Sequence, residues 1–175
     1  SKGSIPSFRS GSLEPLIKEC VNRCAESFHG RVALQISDDL WSMVLDRGQM
    51  ARVFTNVCTN GYESMPEGGV LEINARNVEL KTGNKEFQLA PGLYVETTIK
   101  DKGAGILKEN LPRILDPYFT TKKMGSQKGM GLGLTTAYAI VKNHKGSLTV
   151  TSKEGEGTTV MILLPAIGKA PLEKG

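Results

Sequence analysis

The sequence predicts an α+β domain, a two-layer sandwich with one mixed, mostly antiparallel sheet and three main helices on one face. Three observations carry this. Apolar stripes of period 3.6 mark three helices, and apolar–polar alternation of period 2 marks the strands between them. The last two strand patterns face each other across Glu154-Gly155-Glu156-Gly157, a hairpin turn. The length of 175 residues suits one domain with one hydrophobic core. A chain of this length buries roughly 70% of its unfolded surface and needs no disulfide or metal staple.

Residues 1–12 are polar and rich in Ser, Gly and Pro, so they read as a linker or disordered end. The first helix carries Leu13, Leu16, Ile17, Cys20, Val21 and Cys24 on one stripe. Val32, Leu34 and Ile36 alternate as a strand, with a short one at Trp41 to Leu45. Asp46 and Gln49 have capping-box spacing and open the second helix. Its stripe is Met50, Val53, Phe54, Val57, Cys58, Tyr62 and Met65, ended by Pro66 and Gly68-Gly69. Strands follow at Val70 to Val78 and Leu93 to Asp101, joined by a polar loop at about 80–92. The third helix, Leu132 to His144, buries Leu134, Ala137, Tyr138 and Val141 and stops at Gly146. Leu148 to Ser152 and Thr158 to Leu164 form the closing hairpin. The domain is expected over residues 13–166, with a tail at 167–175.

In four places the pattern breaks in ways that suit chemistry. Asn56, Asn60 and Glu63 share one strip beside the apolar stripe of the second helix. Asn is a poor mid-helix residue, because its amide competes with the backbone. The strip is either a solvated edge or a source of hard oxygen ligands for Mg²⁺. Asp101-Lys102-Gly103-Ala104-Gly105-Ile106 ends a strand on which Val95, Thr97, Ile99 and Asp101 point to the same side. A carboxylate on an apolar face needs donors. A base with an exocyclic amine, lying against side-chain-free glycines, would supply one; the alternative is a turn whose Asp caps the next helix.

Asp116-Pro117-Tyr118-Phe119-Thr120-Thr121-Lys122-Lys123, running on to Lys128, reads as an apolar anchor followed by a lysine-rich flap over an anion, or as a plain surface loop. Gly129-Met130-Gly131-Leu132-Gly133-Leu134 opens the third helix. Alternating glycines there let successive N–H groups turn inward as a phosphate-binding nest. The sequence contains no G-x-x-x-x-G-K-[ST], nor the H-R-D and D-F-G of other kinases.

In order, these four segments resemble the N, G1, F and G2 boxes of the GHKL ATP-binding superfamily, over roughly Gln49 to Pro165. That superfamily has the Bergerat ATP-binding fold. Asp101-x-Gly103-x-Gly105-Ile106, Pro117-Tyr118-Phe119-Thr120-Thr121-Lys122, Gly129-x-Gly131-Leu132-Gly133-Leu134 and Glu156-Gly157-Thr158-Thr159 are most similar to the sensor histidine kinase versions. The resemblance implies a catalytic and ATP-binding domain that uses ATP and Mg²⁺. Asn60 would hold the metal, with Asn56 assisting and Glu63 beside them. Asp101 would accept from the adenine amine, with Gly105 and Thr158 supporting the base and Gly103 and Ile106 in the same box. Tyr118, Phe119, Thr120, Thr121, Lys122 and Lys123 would form the ATP lid. Gly129, Met130, Gly131, Leu132 and Gly133 would meet the phosphates. Two departures stand out: Gly61 where the family usually has Ala, and Met130 where Thr is frequent.

The resemblance also implies partners: a histidine-bearing dimerisation domain of the same protein and a downstream response regulator. Neither His29 nor His144 resembles the phosphoacceptor box, and His144 is expected to serve helix-end electrostatics. Hydrolysing clamps of the gyrase or MutL kind carry Glu at the position of Asn56, and an amide is no general base. That leaves the clamp, and a kinase acting on Ser, as alternatives to histidine phosphorylation. The net charge of +4 is too small and dispersed to argue for nucleic acid. Without C-x-x-C, the three cysteines read as buried thiols. No apolar run approaches the roughly 18 residues of a membrane helix, and the expected compartment is the cytoplasm.

Overall fold

The computed structural model describes residues 5–115 and 130–168. Strand β1 (Arg9–Gly11) leads into helix α1 (Leu13–Ala25), strand β2 (Arg31–Ile36) and strand β3 (Met43–Leu45). Helix α2 (Arg47–Glu63) is followed by strands β4 (Val70–Leu80) and β5 (Gly92–Asp101). After a 3-10 turn at Leu111–Arg113 come helix α3 (Met130–Asn143) and the hairpin β6 (Ser147–Lys153) and β7 (Gly157–Pro165). The sheet order is β2-β4-β5-β7-β6, with β2 parallel to β4 and the other neighbours antiparallel. This is the α+β sandwich expected, with α1, α2 and α3 packed on one face. Leu16 and Ile17, Val53 and Phe54, and Leu134 and Val141 meet Leu71, Ile73, Val95, Ile99 and Ile162 in one buried core.

The ends of the domain differ from the expectation. Residues 9–11, placed in a linker or disordered end, pair with β3 in the register Arg9↔Leu45 to Gly11↔Met43. The reason lies just before them. The Ser7 amide donates to Asp46 Oδ2 at 2.7 Å, and the Phe8 ring meets the His144 ring edge-on at 4.8 Å. At the other end Ile167 donates to the Ser42 carbonyl at 2.8 Å, and Gly168 bridges Ser42, so the first residues of the expected tail are anchored. The loop between β4 and β5 does more than connect. Its Phe87 and Leu89 cover Tyr94 and Leu163 on the sheet face away from the helices.

Helix α2 is capped as predicted on one side only. Asp46 Oδ1 accepts from the Gln49 amide at 3.0 Å, but Gln49 does not return the bond, and its Oε1 is buried without a partner among the described residues. The Asp46 amide donates instead to His144 Nε2 at 3.0 Å, while His144 Nδ1 lies 2.9 Å from the Ile140 carbonyl. A ring that accepts at Nε2 donates at Nδ1, so His144 is neutral here. It is 6% exposed. The helix-end charge expected of His144 is therefore replaced by a structural tie between α3 and the cap of α2. Helix α3 stops in a Schellman turn, with Gly146 N to Val141 O and Lys145 N to Lys142 O both at 3.0 Å. The left-handed residue is Lys145 (φ 66°), not Gly146. Gly146 is needed because a Cβ there would collide with the Leu163 carbonyl.

Removing the His144 ring strands a partly buried amide. His144→Ala is expected to lower unfolding free energy by about 1–3 kcal/mol in urea titration. Gln49→Ala, which removes an unpartnered buried carbonyl, is expected to lose clearly less in the same assay.

Candidate functional site

Asp101 closes β5, with β4 and β7 on its two sides, so its carboxyl group lies at the end of the sheet beneath the last turn of α2. It is 7% exposed. Val95, Thr97, Ile99 and Asp101 all face the helices and are all buried, as the alternation predicts. Oδ1 accepts from the Gly103 amide at 2.9 Å and from the Thr158 amide at 3.3 Å. Burial pushes the carboxyl group above its ordinary range. Hydrogen bonds from the Gly103 amide, the Ser64 hydroxyl and the Thr158 amide oppose that rise without cancelling it.

The glycines hold this arrangement by close approach. A Cβ on Gly103 would collide with the carbonyl and hydroxyl oxygens of Ser64. Gly105 has φ 75°, and a Cβ there would strike the Lys153 carbonyl. Gly155 donates to the Ala104 carbonyl at 2.7 Å, so the turn after β5 and the β6–β7 hairpin lock together. Ser152 joins them: its Oγ accepts from the Ile106 amide at 2.8 Å and lies 2.8 Å from Thr158 Oγ1. The Ile106 side chain is wholly buried in the core, and its backbone is what reaches the site.

The Asn strip of α2 faces the start of α3. Asn56 Nδ2 donates to the Gly133 carbonyl at 3.3 Å. Asn60 Nδ2 is buried without a partner among the described residues, and a Cβ on Gly133 would sit 3.4 Å from Asn60 Oδ1. Glu63 is exposed. Gly61 departs from the family's usual Ala for a visible reason, since a Cβ there would come within 2.6 Å of Leu71 Cδ1.

The helix α3 begins at Met130, two residues before the predicted start, so Gly131 joins Leu132 and Gly133 in its first turn. Tyr118, Phe119, Thr120, Thr121, Lys122, Lys123 and Gly129 lie outside the described residues. Thus the structure brings together Asp101, Gly103, Gly105 and Thr158 at one end of the sheet, and Asn56, Asn60 and Gly133 beside it. Two residues were missed in the sequence. Ser64 continues the strip at four residues past Asn60, a spacing that was followed only as far as Glu63. Ser152 stands opposite Thr158 in the hairpin register, which the turn length made readable.

Chemically, the site offers a buried acceptor between glycines and an amide strip against a helix start. Among the described residues, no group of three or more His, Cys, Asp or Glu could hold a metal ion.

Residues 45–167 match the family described as histidine kinase-, DNA gyrase B- and HSP90-like ATPase. The chain belongs to this family. It is 38% identical over 141 residues to sensor kinase CckA of Brucella abortus, covering 79% of this chain and 14% of that protein. It is 30% identical over 147 residues to sporulation kinase E of Bacillus subtilis, covering 84% of this chain and 18% of that one. The chain thus spans less than a fifth of these two relatives. In architecture it is similar to the catalytic domain of histidine kinase ThkA, with TM-score 0.72, 22% identity, and 91% and 96% of the two chains covered. It is also similar to full-length ShkA solved with AMPPNP, with TM-score 0.73, 20% identity, and 98% and 34% covered. This ATPase-family fold contains, among the described residues, no helix long and apolar enough to cross a membrane.

The raised carboxyl of Asp101 has a signed consequence for this ATPase-family domain. A group whose folded pKa exceeds its unfolded value stabilises the fold below the unfolded pKa. That contribution is lost as pH rises through the folded pKa. Asp101→Asn keeps an oxygen for the two amides and removes the charge. The variant is expected to match wild type in acid and to gain relative melting temperature as pH rises towards neutral.

Proposed function

We propose that this chain binds ATP with Mg²⁺ and is the catalytic part of a two-component sensor histidine kinase. It would pass the γ-phosphoryl group to a histidine on a dimerisation domain, with a response regulator downstream. The observation that carries the reading is the buried Asp101 carboxyl group, which opens the turn through Gly103 and Gly105 and accepts from the Gly103 amide. Adenine offers its exocyclic amine to that acceptor, whereas guanine would set a carbonyl oxygen against it. Thr158 and Gly105 support the base; Gly103 and the Ile106 backbone shape the same wall.

Asn60 would hold the Mg²⁺, and its buried, unpartnered amide suits a site completed by oxygens of metal-bound phosphate. The ion supplies neutralisation of the phosphate charge when bound. Asn56 assists, and Glu63 lies at the exposed rim. The amides of Gly129, Met130, Gly131, Leu132 and Gly133 would meet the phosphates at the start of α3, where the helix dipole favours anions. Tyr118 to Lys123 would close over them. Asn56 donates its amide to Gly133 and carries no basic lone pair, so this strip positions phosphate rather than activating water. Transfer then depends on a nucleophile brought in line from elsewhere. The expected compartment is the cytoplasm.

Asp101→Ala is expected to bind ATP tenfold to about a hundredfold more weakly by calorimetry, because a hydrogen bond to a charged group contributes about 1.5–3 kcal/mol. Equal wild-type affinities for ATP and GTP would remove the adenine assignment. For the reaction, γ-labelled ATP mixed with the chain and a dimerisation domain should yield acid-labile, base-stable phosphoprotein. Turnover by the chain alone at about 1–10³ s⁻¹, the ordinary enzyme range, would overturn the kinase reading in favour of hydrolysis.

A further inference from the structure

We propose that Ser152 is a specificity-determining residue for the base: it holds the Thr158 hydroxyl proton, so that Thr158 can only accept at the site. The inference rests on the adenine reading of Asp101 and deepens it, naming what selects an amine over a carbonyl oxygen beside that carboxyl group. Asp101, Thr158 and Ser152 lie in one row across three adjacent strands. Asp101 pairs with Thr158 between β5 and β7, and Thr158 pairs with Ser152 between β7 and β6. Directly paired residues put their side chains on the same face of a sheet. The Thr158 amide donates to Asp101 Oδ1 at 3.3 Å, and Thr158 Oγ1 lies 2.8 Å from Ser152 Oγ, so Thr158 joins the acceptor to the serine.

The direction of the hydroxyl bond follows from what else Ser152 touches. Its Oγ has three polar neighbours, each at 2.8 Å: the Ile106 amide nitrogen, the Gly157 carbonyl oxygen and Thr158 Oγ1. A hydroxyl has one proton and two lone pairs. The amide can only donate and the carbonyl can only accept, which fixes two of the three contacts. Ser152 gives its proton to Gly157 and one lone pair to Ile106. The other lone pair faces Thr158, so the Thr158 hydroxyl is the donor of that bond. The reverse direction would leave the Ser152 and Gly157 oxygens 2.8 Å apart with no proton between them.

Two acceptors therefore stand on neighbouring strands: the Asp101 carboxylate, and a Thr158 oxygen whose proton is committed to β6. An exocyclic amine has two N–H groups and answers both. A carbonyl oxygen at the same position of the base meets lone pairs on both, and neither residue has a proton to turn towards it. Asp101 by itself refuses the carbonyl only from one side. A Thr158 hydroxyl free to rotate would undo that refusal by giving the carbonyl its proton. Ser152 prevents the rotation from the strand beyond, and so acts on the base through Thr158. The Ile106 amide, which follows the Gly103–Gly105 turn, holds Ser152 from the other side, so the setting is built into the wall of the site. Asp101 and Thr158 are each only 7% exposed, which limits the water that could stand in for a missing donor.

The test has two arms, both on the 175-residue chain. Neutron diffraction from nucleotide-free wild-type crystals grown in heavy water reads the hydroxyls directly. The Thr158 deuteron is expected to point at Ser152, and the Ser152 deuteron at the Gly157 carbonyl. A Ser152 deuteron pointing at Thr158 overturns the proposal. Calorimetry then compares ATP with inosine triphosphate, which carries a carbonyl oxygen where ATP carries its amine. Ser152→Ala is expected to lower the ratio of the two affinities by about twofold to tenfold. An unchanged ratio overturns the proposal even where both nucleotides bind more weakly, since equal weakening is a structural effect alone. In a Thr158→Val background, adding Ser152→Ala should change the ratio no further; a second fall of the same size would mean that Ser152 does not act through the Thr158 hydroxyl. A wild type that binds neither nucleotide sinks the proposed function, while the deuteron positions still decide the hydroxyl chain.

Discussion

Desolvation of the Asp101 carboxylate is the constraint around which this end of the molecule is built. A carboxylate removed from water with no donors would be several kcal/mol unfavourable. The chain answers from two directions: the turn after β5 doubles back so that Gly103 donates, and β7 starts where its Thr158 amide donates. Each approach is closer than a side chain allows at Gly103, Gly105 or Gly157, where a Cβ would strike Ser64, Lys153 or Asp101 backbone. The glycines allow these close approaches, and on the proposed function the side-chain-free surface they leave would suit a planar base.

Helix α2 carries that constraint to the opposite end of the domain. Its C-terminus holds Ser64 against Gly103 of the turn after β5. Its N-terminus is tied by Asp46 to residue 7 and by the Asp46 amide to His144 on α3. Between them, Asn56 donates to Gly133 in the first turn of α3. The helix is therefore fixed to α3 at two levels, one beside the amide strip and one at the far cap. A shift of α3 along α2 would break a buried His–amide bond as well as the Asn56 contact, so the two ends of α2 resist being displaced separately.

Most of this architecture was legible because it rests on periodicity. The stripe from Met50 to Tyr62 and the alternation from Val95 to Asp101 name both the elements and their buried sides. What was hidden depends on partners distant in sequence. Asp46 and Gln49 have the spacing of a reciprocal capping box, yet His144, 98 residues away, takes the amide that Gln49 would have received. Residues 9–11 look like a disordered end because three polar or small residues carry no pattern, and their order comes from β3 and from Phe8 lying on His144. Within the site, Asp101 announced itself as a charge on an apolar face. Ser64 and Ser152 did not, because a serine at a helix end or in a hairpin is ordinary until the residue it touches is known.

Gly61 and Asn60 bring these threads to one point on α2. Gly61 weakens a helix interior by roughly 1 kcal/mol relative to Ala, so its presence needs a reason. Leu71 of β4 fills the space a methyl group would occupy, which lets the helix settle closely on the sheet. Next to it, the Asn60 Nδ2 is buried with no hydrogen-bond partner among the described residues. An unpaired buried amide is itself unfavourable by about 1–3 kcal/mol. The same turn of α2 therefore carries two locally unfavourable choices, and both become intelligible if the strip is shaped to receive oxygens. On the proposed function, Asn60 would stand in relation to phosphate and metal as Asp101 would to the base: the one faces the first turn of α3 and the other the end of the sheet, and each would be satisfied by what the site binds.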